Sequence, residues 1–344
     1  MDRDAGIALV VVDLRREDWR ALDHARAARE LAARGHPVEL AVFARSGLAV
    51  APGATGLEGG EATGLAGWRR RRRALARRLD RGDVRHLHLV GAAARAAAPL
   101  RVGRPITFAP PVDDPDRGLA GALWRGRGPV GLELVPWGLP RRRSFSVTRS
   151  RAVGWGLEPP APGAASPGGG RRIGCVTPRG SAAALREMLE AFRAFGALDP
   201  GATLIVLAEP ERAPLAPWTE RLGLEDRVQR RPLGVDPGVA LQDLDQLWLH
   251  GGPEPDPRLA LMAMARGIPV VIDHVTSLAP GIREIGGALM RDGAWPRQFA
   301  EAARELVESE DLRAAVSRAG PILVAERHAR GAYLDRLAAA FGLA

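Results

Sequence analysis

The sequence predicts an α/β protein of two domains, each a parallel sheet covered by helices. Three observations lead there. The chain has 344 residues, enough to divide into two cores of ordinary domain size. Short continuous apolar runs alternate with helix-period segments in both halves, the pattern of strands buried on both faces and joined by crossover helices. Between the halves, Pro159 to Gly170 holds four prolines and four glycines in twelve residues, the composition of a linker.

The elements follow in order. Ile7 to Val12 is a buried strand. From Glu17 to Arg34, the residues Trp19, Leu22, Ala25, Ala28 and Leu31 recur at helical spacing, with Gly35 as the stop. Pro37 to Phe43 returns as a strand, completing a βαβ opening. A Gly-rich loop over residues 52–67 leads to an Arg-rich helix, Trp68 to Leu79, and then to the strand Val84 to Val90. A short Ala-rich helix and a strand near Pro105 to Phe108 come next. From Asp113 to Arg151, Pro, Gly and Arg interrupt each apolar run and no element is assigned. After the linker the alternation resumes. Strands are expected at Ile173 to Val176, Thr203 to Leu207, Gln246 to Leu249 and Val270 to Ile272. Helices are expected at Ser181 to Phe195, around Trp218 to Leu222, at Arg258 to Arg266, and from Trp295 nearly to the end with a break at Pro321. The resulting boundaries are 1–158 for a first domain, 159–170 for the linker, 171–325 for a second domain and 326–344 for a terminal helix that packs back on the first domain.

Composition narrows the function classes. Hydrophobic residues make up 46% of the chain, and no apolar run approaches the ~18 residues of a membrane span. The N-terminal apolar run follows aspartates and lacks the basic start of a signal peptide, so a cytoplasmic protein is expected, with the inner face of the membrane as a peripheral location. The single cysteine, Cys175, excludes an internal disulfide and a multi-cysteine metal site, and reads as a small buried hydrophobe. No cluster of His with Asp or Glu at ligand spacing suggests a metal, and no cofactor is expected. The net charge of +9 is uneven, since residues 1–170 carry +11 and the remainder −2. A positive field confined to one half fits one anionic partner, an acidic acceptor or a membrane surface, and argues against nucleic acid bound along the whole chain.

Several short segments carry a family resemblance. Met262-Ala263-Met264-Ala265-Arg266-Gly267-Ile268-Pro269-Val270-Val271 resembles the Glu-Ala-Met-Ala-x-Gly-x-Pro-Val-Val signature of retaining family-4 glycosyltransferases. Pro200 to Leu204, Gly223 to Val228, and Gly281 to Ile285 with the Gly-Ala-Leu-Met that follows are similar to further segments of that family. So are Arg34 to Val38 and Asp83-Val84-Arg85-His86-Leu87-His88 in the first half. All stand in the family's order. The resemblance implies the GT-B fold, two Rossmann-like domains facing each other across a cleft. The second would hold a nucleotide-sugar and the first an acceptor.

The same resemblance assigns the candidate residues. Glu254 stands where the family contacts the donor sugar, and Met262 stands eight residues on, where the family has a second glutamate for the ribose. Arg179 and Gly180, with Thr177 before them, match the turn that holds the diphosphate: an arginine binds phosphate through paired hydrogen bonds, and glycine admits the backbone closely. Asp256, Pro257 and Arg258 form the start of the following helix, where free N–H groups attract an anion, although Asp256 as N-cap would compete for them. In the first domain Asp13, Arg15 and Arg16 replace the family's Gly-rich turn, and the cleft histidine expected after Thr107-Phe108 is missing. His86 and His88 are read as facing opposite sides of their strand, with His88 the better cleft candidate.

Arg69, Arg70, Arg71, Arg72 and Arg73, with Arg77 and Arg78, are read as the solvated basic face of a helix whose Trp68, Leu75 and Leu79 face the core. Peripheral membrane contact is the sharper alternative for this face. Three functions remain open at this stage. The first is a glycosyltransferase acting on a cell-envelope, polysaccharide or lipid-linked acceptor. The second is a catalytically degenerate homologue serving as a binding or partner subunit, and the third an Arg-rich binder of anionic surfaces.

Overall fold

A computed structural model of the chain describes residues 6–13, 19–43, 54–57, 64–90, 106–109, 132–135, 149–152, 156–157, 171–176, 182–208, 215–233, 237–249, 257–273, 288–291 and 296–343. They form two compact units. The first gathers Met1–Pro136, Arg141–Gly154 and Gly331–Ala344, and the second gathers Trp137–Pro140 and Trp155–Arg330.

In the first unit the strands are β1 (Ile7–Asp13), β2 (Val38–Phe43), β3 (Thr55–Gly56), β4 (Val84–Val90), β5 (Ile106–Ala109), β6 (Leu132–Val135) and β7 (Arg149–Ala152). They pair in parallel in the order β3-β2-β1-β4-β5-β6-β7. The continuous apolar run of β1 has a direct cause, because its alternate residues serve two cores. Ala8, Val10 and Val12 meet Ala25, Ala28 and Leu31 of helix α1 (Trp19–Ala33), together with Tyr333, Leu334, Leu337 and Phe341. Leu9 and Val11 face the other way, onto Phe43, Leu87, Leu89 and the Ala74 and Leu75 of helix α2 (Gly64–Leu79). Each large side chain buried this way contributes about 1.5–3 kcal/mol.

The second unit holds β8 (Arg172–Val176), β9 (Thr203–Leu207), β10 (Val228–Arg231), β11 (Gln246–Leu249), β12 (Val270–Asp273) and β13 (Ala288–Arg291). They too pair in parallel, in the order β10-β9-β8-β11-β12-β13. Helices α3 (Ala182–Gly196), α4 (Ala216–Leu222), α5 (Pro237–Ala240), α6 (Pro257–Ala265), α7 (Arg297–Glu308) and α8 (Glu310–His328) flank this sheet in sequence. Trp248 of β11 centres one core, with its ring edge-on to Phe195 at 5.7 Å and to Phe299 at 5.3 Å. Its indole N–H would be costly to bury alone. It donates to Gln246 Oε1 at 3.1 Å, and Gln246 Nε2 donates in turn to the Ala303 carbonyl at 3.1 Å.

Helix α9 (Arg330–Ala340) belongs to the first unit, where Tyr333, Leu334 and Leu337 join the β1 core and Arg34 pairs with Asp335 at 3.0 Å. Where the chain enters and leaves the second unit, two segments lie side by side. The Leu157 N–H donates to the His328 carbonyl at 2.8 Å and the Arg330 N–H to the Leu157 carbonyl at 3.0 Å.

Three expectations are corrected. Helix α2 begins at Gly64, inside the segment read as a Gly-rich loop, because Gly67 is buried there and packing overrides its low helix propensity. The region left unassigned between Asp113 and Arg151 contributes β6 and β7. The break expected at Pro321 is absent, since α8 runs through it. The interruption falls at Ser309, whose Oγ accepts the Leu312 N–H at 3.2 Å and caps α8. The linker segment 159–170 and the Ala-rich helix near residues 91–100 lie outside the described residues. Among the described residues no helix is long and apolar enough to cross a membrane.

Candidate functional site

In an open parallel sheet, ligands bind beyond the carboxyl ends of the strands where the strand order reverses. In the second unit that point lies between β8 and β11, since β9 and β10 extend to one side and β12 and β13 to the other. The register brings Val176, the last residue of β8, opposite Leu249, the last residue of β11. The two strands therefore end at the same level. Thr177, Arg179 and Gly180 follow β8 in the chain, and Glu254 and Asp256 follow β11. All five lie outside the described residues, so what is established is where their segments attach.

Helix α6 continues the β11 segment, with Arg258 as its second residue. Met262 is half-buried on it, between the fully buried Leu261 and Ala263. The end of α6 explains the glycine of the Met-Ala-x-Gly-x-Pro pattern. Gly267 has φ +71°, its N–H donates to the Met264 carbonyl at 2.9 Å, and the Ile268 N–H donates to the Ala263 carbonyl at 3.0 Å. This left-handed cap closes the helix and returns the chain to β12.

The first unit repeats the topology, with its reversal between β1 and β4. Asp13 ends β1, and Arg15 and Arg16 follow outside the described residues. His86 and His88 do not face opposite sides of the sheet, because residues two apart on a strand share a face. Both rings lie against Phe341, at 5.1 Å and 4.9 Å between centroids. His88 also meets His24 of α1 at 5.5 Å and is only 1% exposed. Burial pushes the His86 imidazole down to about 4, so it is neutral at physiological pH.

The arginine run divides. Arg69, Arg70, Arg73 and Arg77 are exposed, whereas Arg71 and Arg78 lie on the buried stripe with Ala74 and Leu75. Arg78, read from sequence as part of the solvated face, is 3% exposed. It donates to Glu39 through Nε at 2.9 Å and through Nη2. It also donates to Asp83 through Nη1 at 2.7 Å and Nη2 at 3.1 Å. The charge is satisfied inside the fold, which is why a core position accepts it. Asp83, the first residue of the Asp-Val-x-His-x-His segment, thus has a structural duty at the foot of β4.

Two buttresses of the second sheet were not visible from the sequence. Asp245 accepts the Arg171 and Arg172 N–H groups, each at 2.9 Å, where β8 begins. Arg227 lies over the Phe192 ring at 5.2 Å and donates to the carbonyls of Gly196, Asp199 and Ala202 beyond α3. Of these, the Gly196 carbonyl ends α3 and is one of the acceptors that a helix end leaves without an intrahelical partner. Cys175 is wholly buried, its thiol pushed far up by desolvation, and is inert as a nucleophile. Among the described residues no group of His, Cys, Asp and Glu could hold a metal ion.

Comparison with solved structures identifies the fold. HepE from Anabaena, in complex with UDP and glucose, matches with a TM-score of 0.71 at 13% identity, over 98% of this chain and 99% of that one. Sucrose-phosphate synthase from Thermosynechococcus elongatus matches with a TM-score of 0.73 at 13% identity, over 97% and 98%. WaaG, a glycosyltransferase involved in lipopolysaccharide biosynthesis, matches with a TM-score of 0.68 at 14% identity, over 97% and 99%. The chain has the GT-B fold. No protein-family model matches its sequence, and no curated protein matches it.

Proposed function

We propose that the chain is a glycosyltransferase that moves a sugar, with retention of anomeric configuration, from a nucleotide-sugar to a cell-envelope or polysaccharide acceptor. The observation that carries this reading is the paired ending of β8 and β11 at Val176 and Leu249. It attaches the Thr177-to-Gly180 turn and the Glu254-to-Arg258 segment to adjacent strands at the reversal of the sheet. Two segments chosen for phosphate and sugar contacts thus leave from the place where α/β sheets bind ligands. Full-length likeness to a structure holding UDP and glucose supports the same reading.

In this reading Arg179 and the start of α6 neutralise the diphosphate as it leaves, Gly180 admits the phosphates to the backbone, and Glu254 contacts the donor sugar. The mechanism uses no metal and no cofactor. Asp13, Arg15, Arg16 and His88 belong to the acceptor half. The test is a panel of UDP-, GDP-, ADP- and TDP-sugars read first by thermal shift and then by release of nucleoside diphosphate. One nucleoside diphosphate at about 100 times its Kd raises stability by about 2.7 kcal/mol. Absence of a shift with all four at millimolar concentration rejects the reading.

One observation favours a second reading, a degenerate homologue that binds without turnover. Met262 puts a half-buried thioether where the resemblance calls for a carboxylate, and a thioether is a weak acceptor for a ribose diol. Sugar transfer by the purified chain overturns it.

A further inference from the structure

We infer that the donor carries a 2′-deoxyribonucleoside, the chemistry of the thymidine diphosphate sugars, and that the apolar flank of α6 at Met262 selects it. The inference rests on the proposed transferase reading and deepens it. With the diphosphate at the start of α6, the pentose of the nucleoside lies along the side of that helix. Among the described side chains of α6, Leu259, Ala260, Leu261, Ala263, Met264 and Ala265 are buried, and Met262 alone is half-buried. Arg266, four positions on and so on the same side, is half-buried as well, and its Nη1 turns back to the Met262 carbonyl at 3.5 Å. From Leu259 to Ala265 the helix is therefore closed on every side except the stripe through Met262. A ligand running down from the helix start meets this stripe. Met262 lies five residues beyond Pro257, a rise of about 7.5 Å, comparable with the reach from a diphosphate to the pentose it carries.

What the stripe offers decides the pentose. Helix α6 reads Pro-Arg-Leu-Ala-Leu-Met-Ala-Met-Ala, and none of these side chains carries an oxygen. A ribose 2′-hydroxyl needs an acceptor once its water is displaced. The carbonyls of the first turns are taken by the helix's own N–H groups, and the Met262 sulfur is a weak acceptor. A 2′-hydroxyl laid on this flank gives up a hydrogen bond to water and gains nothing comparable. The 2′-methylene of deoxyribose makes ordinary apolar contact with the thioether there. The 3′-hydroxyl is common to both pentoses and cancels from the comparison. An apolar wall rejects an added hydroxyl by up to about a hundredfold. Met262 is only half-buried and leaves the hydroxyl some water, so the expected preference is about tenfold.

The full chain is titrated calorimetrically with nucleoside diphosphates in matched pairs that differ only at the 2′ position: TDP and its ribo counterpart, dUDP and UDP, dGDP and GDP, dADP and ADP. In the pair whose base binds best, the deoxy member is expected to bind about tenfold tighter. Met262→Glu supplies the missing acceptor and is expected to bring the ribo member level with the deoxy member or past it. Met262→Leu keeps the flank apolar and is expected to keep the native preference. Melting curves check that both variants fold, and the native ratio is a test that needs neither. Equal affinities within the pairs, or tighter binding of the ribo member, overturn the inference and leave the transferase reading in place. A preference undiminished in Met262→Glu also overturns it, since the selection then lies elsewhere. Absence of binding by all of the diphosphates rejects the inference and the transferase reading together.

Discussion

Arg78 reaches from the last turn of α2 to grip both carboxylate oxygens of Glu39 on β2, and the rest of its guanidinium holds Asp83 at the entry to β4. The partners hold the guanidinium charged, and Arg78 in turn keeps the carboxyls of Glu39 and Asp83 below their usual range. Replacing Arg78 by Met leaves two like charges without their common partner. The expected loss is about 2 kcal/mol, less than for a fully dry pair because water reaches both carboxylates. Arg78→Lys keeps the charge but not the fork and recovers only part of it. Since the two carboxyl pKa values are depressed in the folded state, the clamp is at full strength above about pH 5 and is lost as pH falls through the depressed values. Calorimetric melting of native and Arg78→Met chains should therefore converge in acid. A constant gap down to pH 3 contradicts this.

His86 sets a separate acid window. Its pKa is pushed down to about 4 by burial, so between the ordinary value near 6.5 and that figure the unfolded chain binds a proton that the folded chain does not. Stability should fall by about 2–3 kcal/mol as pH drops across that interval, most of it above pH 5 where the carboxylates stay ionised. His86→Leu keeps the contact with Phe341 apolar and should flatten the profile between pH 6.5 and 4. An unchanged slope in that variant assigns the effect elsewhere.

Gly320→Ala tests the seam between α6 and α8. In an exposed helix this change adds about 1 kcal/mol through propensity. Here an added Cβ would stand 2.7 Å from the Met264 carbonyl oxygen, and 3.2 Å from two further backbone atoms of that residue. Backbone cannot swing aside as a side chain does. Overpacking of this kind costs about 1–3 kcal/mol and should outweigh the gain in propensity. A net loss in melting temperature is expected, and a net rise would mean that the helices separate freely.

These cases show what the sequence carried and what it concealed. The run Ile7 to Val12 announced a strand buried on two faces because every residue of it is apolar. Gly35 announced the end of α1 because a helix that closes on a left-handed residue favours glycine there, and its φ is +87°. In the candidate site, the turn after Val176 and the segment after Leu249 were chosen from local residues, yet their attachment to neighbouring strands depends on a sheet order that no local pattern encodes. Arg78 was hidden for a related reason. Its spacing from Ala74 and Leu75 puts it on their buried stripe, but the partners that make a charge acceptable there, Glu39 and Asp83, come from other elements. Pro321 misled in the opposite direction, since local sequence predicts a break at its ring and missing N–H, yet α8 runs through it in the folded chain.

Met262 allows the two functional readings to be separated by a gain instead of a loss. If the chain binds a nucleotide-sugar at the reversal of the second sheet, a carboxylate at this half-buried position would accept hydrogen bonds that a thioether cannot. Such a bond to an ionised acceptor contributes about 1.5–3 kcal/mol. Met262→Glu should then tighten nucleotide binding by about tenfold or more, less whatever desolvation its carboxylate suffers. Arg179→Ala should weaken binding through the diphosphate, and Glu254→Gln should reduce turnover by about a hundredfold with a smaller effect on affinity. Isothermal titration on the four chains, followed by a nucleotide-release assay, reads all of these effects. A tighter Met262→Glu complex with turnover in the native chain supports the transferase. A tighter complex with no turnover in either chain supports the degenerate homologue, whose site retains the shape of a donor pocket but not its chemistry.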